Sequence, residues 1–318
     1  MSRYLITGIA GFIGSTLAHT LVSQGHEVHG IDNFSTGSLQ NLADIRDSIS
    51  FREMDLKDAD GLREECRGME YVLHQAALAS VPRSVKDPLL SHESNINGTL
   101  NILLAARDAG VRRVVYAASS SAYGDQPTQP KHELMLPLPL SPYAVQKLAG
   151  EYYMQAFWRV YGLETVCLRY FNIFGPRQAA DSPYSGVIAK FVYSMMGGET
   201  PSIFGNGLQS RDFTFVDNAV NANLLACVAP RELAVGRVFN IGTGQSRTLN
   251  EVYAAIAGLL GFSGKPNYGP PREGDIEHSL ASIVRAEADL GYKPAADFNE
   301  GLKKTVEWYL AQAKAVVQ

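Results

Sequence analysis

Through its first half the chain alternates short apolar runs with segments of helical period. Tyr4 to Thr7, Glu27 to Ile31, Phe51 to Met54, Tyr71 to Gln75, Val114 to Ser119 and Val166 to Phe171 each carry apolar side chains on both faces. That is what a strand covered on both sides requires. Between them Ile13, Leu17 and Leu21, and again Ile96, Leu100, Leu103 and Leu104, recur at the spacing of one helical face. Each set is expected to pack on the sheet. Strand and helix in alternation are the mark of repeated βαβ units, so the pattern predicts an α/β fold with a doubly wound, Rossmann-like parallel sheet.

Beyond Asn172 the alternation weakens and loops rich in glycine and proline appear: Gly175-Pro176, Gly197-Gly198, Phe204-Gly205-Asn206-Gly207 and Gly269-Pro270-Pro271. Long loops beside a sheet more often hold substrate than join domains. Leu302, Val306, Tyr309 and Leu310 predict a closing amphipathic helix. With 318 residues the chain has room for a second lobe. The expected division is a sheet domain over 1–171, rejoined by 213–241, and a smaller C-terminal substrate-binding lobe made of 172–212 and 242–318.

Composition removes several classes. A formal charge of -4, without any run of Lys or Arg, gives no basic face for nucleic acid. Cys66, Cys167 and Cys227 are too scattered for a zinc site or a disulfide framework and read as core thiols; no metal is expected. Tyr4-Leu5-Ile6-Thr7 runs straight into glycines without a cleavable leader, and no apolar stretch is long enough to span a bilayer, so a cytoplasmic protein without a membrane partner is expected.

The first strand leads directly into Thr7-Gly8-Ile9-Ala10-Gly11-Phe12-Ile13-Gly14, which opens the first helix. Glycines there allow a tight turn and close approach of backbone to a pyrophosphate, and the helix N-terminus offers unpaired N–H groups to it. Asp32 ends the second predicted strand, near the interval at which a carboxylate meets the adenosine ribose hydroxyls. A carboxylate repels a 2'-phosphate, and no arginine follows in Asn33-Phe34-Ser35-Thr36-Gly37. NAD is therefore the expected cofactor.

Tyr143 and Lys147 stand four apart in Ser141-Pro142-Tyr143-Ala144-Val145-Gln146-Lys147, on one face of a helix that starts at the proline. The spacing alone is weak; its position is not. It follows the strand ending in Ser119-Ser120-Ser121-Ala122-Tyr123-Gly124, at the edge where open α/β sheets bind ligands. A tyrosine of ordinary pKa near 10 is a poor base at neutral pH, and a neighbouring ammonium and an oxidised nicotinamide could lower it. Ser121 could hold a sugar oxygen and relay its proton to Tyr143.

Taken together these residues resemble the extended short-chain dehydrogenase/reductase family, the NAD-dependent epimerase/dehydratase group, from Tyr4 to about Tyr292. The resemblance implies Asp55 and Leu56 beside the adenine, His74-Gln75-Ala76-Ala77 beneath the cofactor, and further cofactor contacts from Asn95, Ser119 and Tyr170. It implies that Asn172, Arg211 and Arg272 contact the diphosphate of a UDP-sugar, with Ser80, Ser120, Gln178, Val187, Phe204 and Asp275 also lining the substrate site. Dehydratases of the group carry an Asp-Glu pair beside the active hydroxyl, and decarboxylases a Glu. Ser121-Ala122-Tyr123 supplies no carboxylate, so epimerisation at C4 through a transient 4-keto sugar is the implied reaction.

Within the group the chain resembles UDP-N-acetylglucosamine 4-epimerases, through His74 to Ser84, Gly175-Pro176-Arg177-Gln178 and Arg272 to Ser279. Ser279, Gly186 and Ala79 are expected to leave room for a 2-acetamido group, with UDP-glucose activity also possible. A UDP-glucuronate epimerase, another nucleotide-sugar enzyme of the family or a silent NAD-binding protein are the alternatives. Relatives dimerise through the helix bearing Tyr152, Tyr153, Phe157 and Trp158 together with the Asn95 to Ala109 helix. The resemblance therefore implies a homodimer, and a place in polysaccharide biosynthesis.

Overall fold

The computed structural model describes residues 1–180, 185–271 and 276–317. All six predicted strands form: β1 (Arg3–Thr7), β2 (Glu27–Asp32), β3 (Ser50–Glu53), β4 (Tyr71–His74), β5 (Arg113–Ser119) and β6 (Glu164–Tyr170). A seventh, Arg237–Ile241, lies beyond β6 at the other edge of the sheet. The strand order is β3-β2-β1-β4-β5-β6 followed by Arg237–Ile241, all parallel. The order reverses between β1 and β4, whose last residues Thr7 and His74 are register partners. Ligand crevices of open α/β sheets lie outside the strand ends at this switch point.

Two expectations of the hydrophobic pattern are corrected. β3 is not covered on both faces: Ser50, Arg52 and Glu53 are exposed. It is the sheet edge, and Phe51 is sheltered by Phe34 and by the guanidinium of Arg46, 4.6 Å above its ring. On the helix Gly98–Asp108, preceded by a π-helical turn over Glu93–Asn97, the buried face is Asn95, Thr99, Ile102, Leu103 and Ala106. Ile96, Leu100 and Leu104 are only half-buried. Polar satisfaction decides the rotation, because Asn95 and Thr99 turn inward to partner the buried Leu78 N–H and His74 ring.

A second apolar cluster holds the substrate side together. Ile188, Val192, Val252, Ile256, Leu302, Val306 and Tyr309 converge from the helices Val187–Met196, Leu249–Leu260 and Phe298–Val317 onto Phe174, Phe213 and Phe215. Leu310 stays 37% exposed at the margin of that face. The helix Val284–Leu290 departs from the expected division, since Ala286, Leu290 and Tyr292 pack into the core of the large sheet. All three cysteines are buried and unpaired. Among the described residues no helix is long and apolar enough to cross a membrane.

One buried cation ties the last sheet helix to the strands. Arg113, at the start of β5, donates through Nη1 to the carbonyls of Ala226, Cys227 and Ala229, at 2.7, 3.0 and 2.9 Å, closing the C-terminus of the helix Val216–Val228. Its Nε and Nη2 form a fork on Glu164 of β6 at 2.9 and 2.7 Å. The guanidinium thus satisfies three carbonyl groups and a carboxylate that are out of reach of much water. Arg113→Ala is expected to lower stability by about 3–5 kcal/mol, read as a fall in the urea midpoint at unchanged m-value.

Candidate active site

The dinucleotide turn is shaped by close approach. Gly8 sits at φ +71°, where a Cβ would stand 2.8 Å from the Cα of Ala76. At Gly14 a Cβ would meet the Gly8 carbonyl oxygen at 2.1 Å. These two positions exclude a side chain, so the strand-to-helix turn comes down flush on β4. Gly11 opens the helix Phe12–Ser23 with no side-chain cap and no acidic residue in its first turn, which leaves its N–H groups and positive dipole end for an anion. Gly37 packs on the same turn, its absent Cβ 2.9 Å from the Ala10 carbonyl carbon.

Asp32 ends β2 and works on the backbone as well as facing the pocket. Its carboxylate accepts from the N–H groups of Ala10 at 2.9 Å and Phe34 at 2.8 Å, bracing the first two βα turns against each other. Burial pushes its pKa up, opposed by these N–H donors. The pocket beside it is lined by Gly8, Gly11, Asp32, Asn33, Ser35, Thr36, Asp55, Leu56, Gln75, Ala76 and Ala77. The Asn33 amide donates to Asp55 at 2.7 Å, and Asp55 also accepts from Lys57 N–H. A purine-sized space with a ribose-facing carboxylate at one end and an uncapped helix at the other fits a dinucleotide.

Under this turn His74 is fully buried between the Thr7 and Thr99 hydroxyls, at 2.7 and 3.0 Å. Thr99 donates to the Asn95 carbonyl, so it accepts from Nε2–H, and Nδ1 accepts from Thr7. Desolvation holds the ring neutral, its pKa lowered to about 3. His74 therefore splints β1 to the neighbouring helix without placing charge below the cofactor.

The catalytic candidates stand on the helix Pro142–Tyr161, which Ser141 caps by accepting from Ala144 N–H at 3.2 Å and which a left-handed Gly162 ends. Ser84 receives the Tyr143 N–H at 3.0 Å and fixes the first turn. Lys147 is buried; its Nζ donates to the Ala117 carbonyl at 2.8 Å and lies 4.8 Å over the Tyr116 ring. Burial lowers its pKa to about 7, and Glu151, one turn on, pulls the other way. Burial raises the pKa of the Tyr143 phenol, and the nearby Ser119 hydroxyl acts to lower it. Ser121 in turn donates to Ser119 at 2.8 Å. Ser119 and Ser121, the latter expected as the relay to Tyr143, thus form a bonded hydroxyl pair in the cleft that Tyr143 lines.

These groups face a cleft of about 610 Å³ whose walls include Phe12, Ile13, Gln75, Ala77, Ala79, Ser119, Ser120, Ser121, Tyr143, Lys147, Tyr170, Asn172, Gln178, Arg211 and Ser279. Gln75 and Ala77 are shared with the dinucleotide pocket, so the two are one crevice. Asn172 and Arg211 are shared with a second cavity of about 560 Å³, lined also by Val187, Phe191, Phe204 and Gln209. Arg211 and Ser279 are register partners in adjoining short strands.

Other expected residues take supporting places. Ser80 caps the helix Val81–Lys86 by accepting from Arg83 N–H. Asn95 is buried, its amide engaged by Leu78 and by Gln146. A Cβ on Gly186 would stand 3.0 Å from Nε2 of Gln178, so this glycine makes room for that side chain. Arg272 and Asp275 lie outside the described residues. Asn223 was not foreseen. From the helix Val216–Val228 it donates to the Tyr170 hydroxyl at 2.6 Å and accepts from Gln75 at 3.1 Å, orienting two cleft residues from a distance in sequence that no local pattern reveals.

Comparison with known proteins accords with this geometry. The profile of the NAD dependent epimerase/dehydratase family matches residues 4–242. A UDP-glucose 4-epimerase of Mycolicibacterium smegmatis is 41% identical over 312 residues, 96% of this chain and 98% of that protein. A UDP-N-acetylglucosamine 4-epimerase from Methanobrevibacter ruminantium M1, solved with UDP-N-acetylmuramic acid, superposes with a TM-score of 0.93 at 39% identity, covering 98% of this chain and 99% of that one. A UDP-glucose 4-epimerase from Thermotoga maritima, solved with UDP-glucose, also gives 0.93, at 37% identity with the same coverage. With a continuous dinucleotide crevice, a Tyr-Lys helix and relatives matched along nearly their whole length, the chain belongs to the NAD-dependent epimerase/dehydratase family, among its NAD-dependent UDP-sugar 4-epimerases.

Proposed function

We propose that the enzyme interconverts UDP-N-acetylglucosamine and UDP-N-acetylgalactosamine, and accepts UDP-glucose and UDP-galactose in the same cleft. The observation that carries this reading is the character of the cleft. Ser119, Tyr143 and Lys147 converge in it, its other walls include the small residues Ala79 and Ser279, and no carboxylate lines it among the described residues. Elimination and decarboxylation lack an acid/base partner among the described wall residues, whereas epimerisation needs a single proton acceptor. The cations lining it are Lys147 and Arg211 among the described residues. Both are committed by this reading, to the phenol and to the diphosphate, so no described residue of the cleft is left as counter-charge for a sugar carboxylate such as that of UDP-glucuronate.

Tyr143 takes the proton of the 4-hydroxyl while Ser119 holds the sugar oxygen and Ser121 holds Ser119. Lys147 stabilises the phenolate through its charge. NAD, when bound, supplies the reversible hydride acceptor that carries the sugar through a 4-keto form. Asn172 and Arg211 keep the diphosphate fixed while the sugar turns to present its other face. Tyr143→Phe is expected to abolish epimerisation with fold and bound NAD retained. Ser119→Ala is expected to lower kcat about 10²- to 10³-fold, and Ser121→Ala by about tenfold or less. Steady-state kinetics ranking the two serines the other way would return the relay to Ser121.

Assays on UDP-N-acetylglucosamine, UDP-glucose and UDP-glucuronate test the substrate. Turnover of the first two and not the third is expected. Ser279→Tyr fills the space assigned to the acetamido group, and should remove activity on the first while sparing the second. Unchanged kcat/KM for the acetylated sugar in that variant would sink the pocket assignment.

The reading includes a cytoplasmic homodimer that supplies polysaccharide precursors. Support for the dimer lies on the helix Pro142–Tyr161, where Val145, Tyr152, Tyr153 and Val160 are exposed while Phe157 is buried in the sheet core and Trp158 lies beneath Arg231. Light scattering should give twice the chain mass, and Val145→Asp combined with Tyr152→Asp should halve it.

A further inference from the structure

Arg177 has no part in the reading above, yet three features single it out. With Phe34 it is one of the two non-glycine residues at positive φ among the described residues, at +68°. For a long side chain the left-handed conformation is unfavourable and persists only where the surroundings impose it. Its guanidinium donates through Nη2 to Oγ1 of Thr16, in the second turn of the helix Phe12–Ser23, at 3.2 Å. Its Nε is buried without a hydrogen-bond partner, and it forms no ion pair among the described residues. Asp44 and Asp217 act on it only as more distant charges, and burial dominates, lowering its pKa. This half-buried cation is short of negative charge.

Its place explains the shortage. Arg177 lines a cleft of about 760 Å³ together with Gly11, Phe12, Ile13 and Gly14, the uncapped start of the first helix. The adenosine end of the crevice is marked by Asp32 and the reacting end by Tyr143. What lies between, over the glycine turn, is the stretch that the diphosphate of a dinucleotide must cross. We propose that Arg177 supplies the counter-charge for that diphosphate, opposite the helix N-terminus, and that its strained backbone is kept for this purpose. The neighbouring Gln178 carbonyl accepts from the Tyr309 hydroxyl of the closing helix. The segment carrying Arg177 is thereby tied to the C-terminal helix.

The test needs no sugar substrate, so it stands or falls apart from the epimerase reading. NAD released by acid from the purified enzyme is counted, and stripped enzyme is titrated calorimetrically with NAD, ADP-ribose and adenosine. Arg177→Ala is expected to weaken NAD and ADP-ribose about 10- to 100-fold, the range of a charge-assisted hydrogen bond, with adenosine unchanged. Arg177→Lys should recover part of the loss. Arg177→Gly relieves the left-handed strain, so the stripped variant should melt at or above the wild-type temperature while binding NAD as weakly as the alanine form, which separates lost recognition from lost folding. Wild-type NAD affinity in both variants, or an equal loss for adenosine, overturns the proposal.

Discussion

A row of buried charges between the helix Pro142–Tyr161 and the sheet sets the geometry on which the chemistry depends. Lys147 and Glu151 share a helical face, and Glu151 meets Arg169 of β6 in a fork at 2.8 and 2.7 Å, all three nearly inaccessible to water. Arg169 also lies 4.7 Å over the Tyr123 ring, whose hydroxyl donates to Asn240 of the edge strand. Gly150 brings the helix so close that a Cβ there would stand 2.3 Å from the Tyr116 hydroxyl. The ring beneath Lys147 and the strand carrying Ser119 are thus held at one fixed distance from Tyr143. Helix, strand and charge row form one unit.

The arrangement works against stability. A lysine whose folded pKa falls from its ordinary 10.5 to about 7 binds fewer protons folded than unfolded between those values. Folding stability from this group therefore rises as pH climbs from about 7 towards 10.5, and the burden of the buried ammonium is fully felt below 7. An apolar side chain would avoid it. That an ammonium sits there nonetheless, with a carbonyl, a ring face and a distant carboxylate arranged around it, marks the position as one kept for its charge. Arg113 is the contrast: equally buried, it satisfies every neighbour it touches and contributes only to the fold.

Local signals in the sequence were legible; those that depend on what lies opposite were not. The strand-glycine-helix turn, Asp32 and the Tyr143 to Lys147 spacing are each written within one or two elements, and all converge on one crevice. The strand pattern also predicted the doubly wound sheet. It could not show that β3 is an edge, because edge position depends on the order of strands rather than on their content. The rotation of the Gly98–Asp108 helix followed two buried polar partners, His74 and the Leu78 N–H, rather than its leucines. The bond between the Ser119 and Ser121 hydroxyls could not be read from Ser119-Ser120-Ser121, since it depends on the helical turn over Ser120–Tyr123. Asn223 reaches Gln75 across 148 positions, a relation invisible to any window of sequence.

The short strands carrying Arg211 and Ser279 are organised by a different buried charge. Asp212, fully buried, accepts from the N–H groups of Thr243, Gly244 and Ala281 and from the Thr243 hydroxyl. Its own N–H donates to the Ser279 carbonyl at 2.7 Å. The strand carrying Ser279 is therefore pinned beside the strand carrying Arg211, so these two cleft residues move together. No side chain of the Lys147, Glu151 and Arg169 row enters this network. The two parts are nevertheless linked, because Tyr123, whose ring lies under Arg169, clusters with Ala281 and donates to Asn240, whose amide in turn bonds the Lys131 and Ser282 carbonyls.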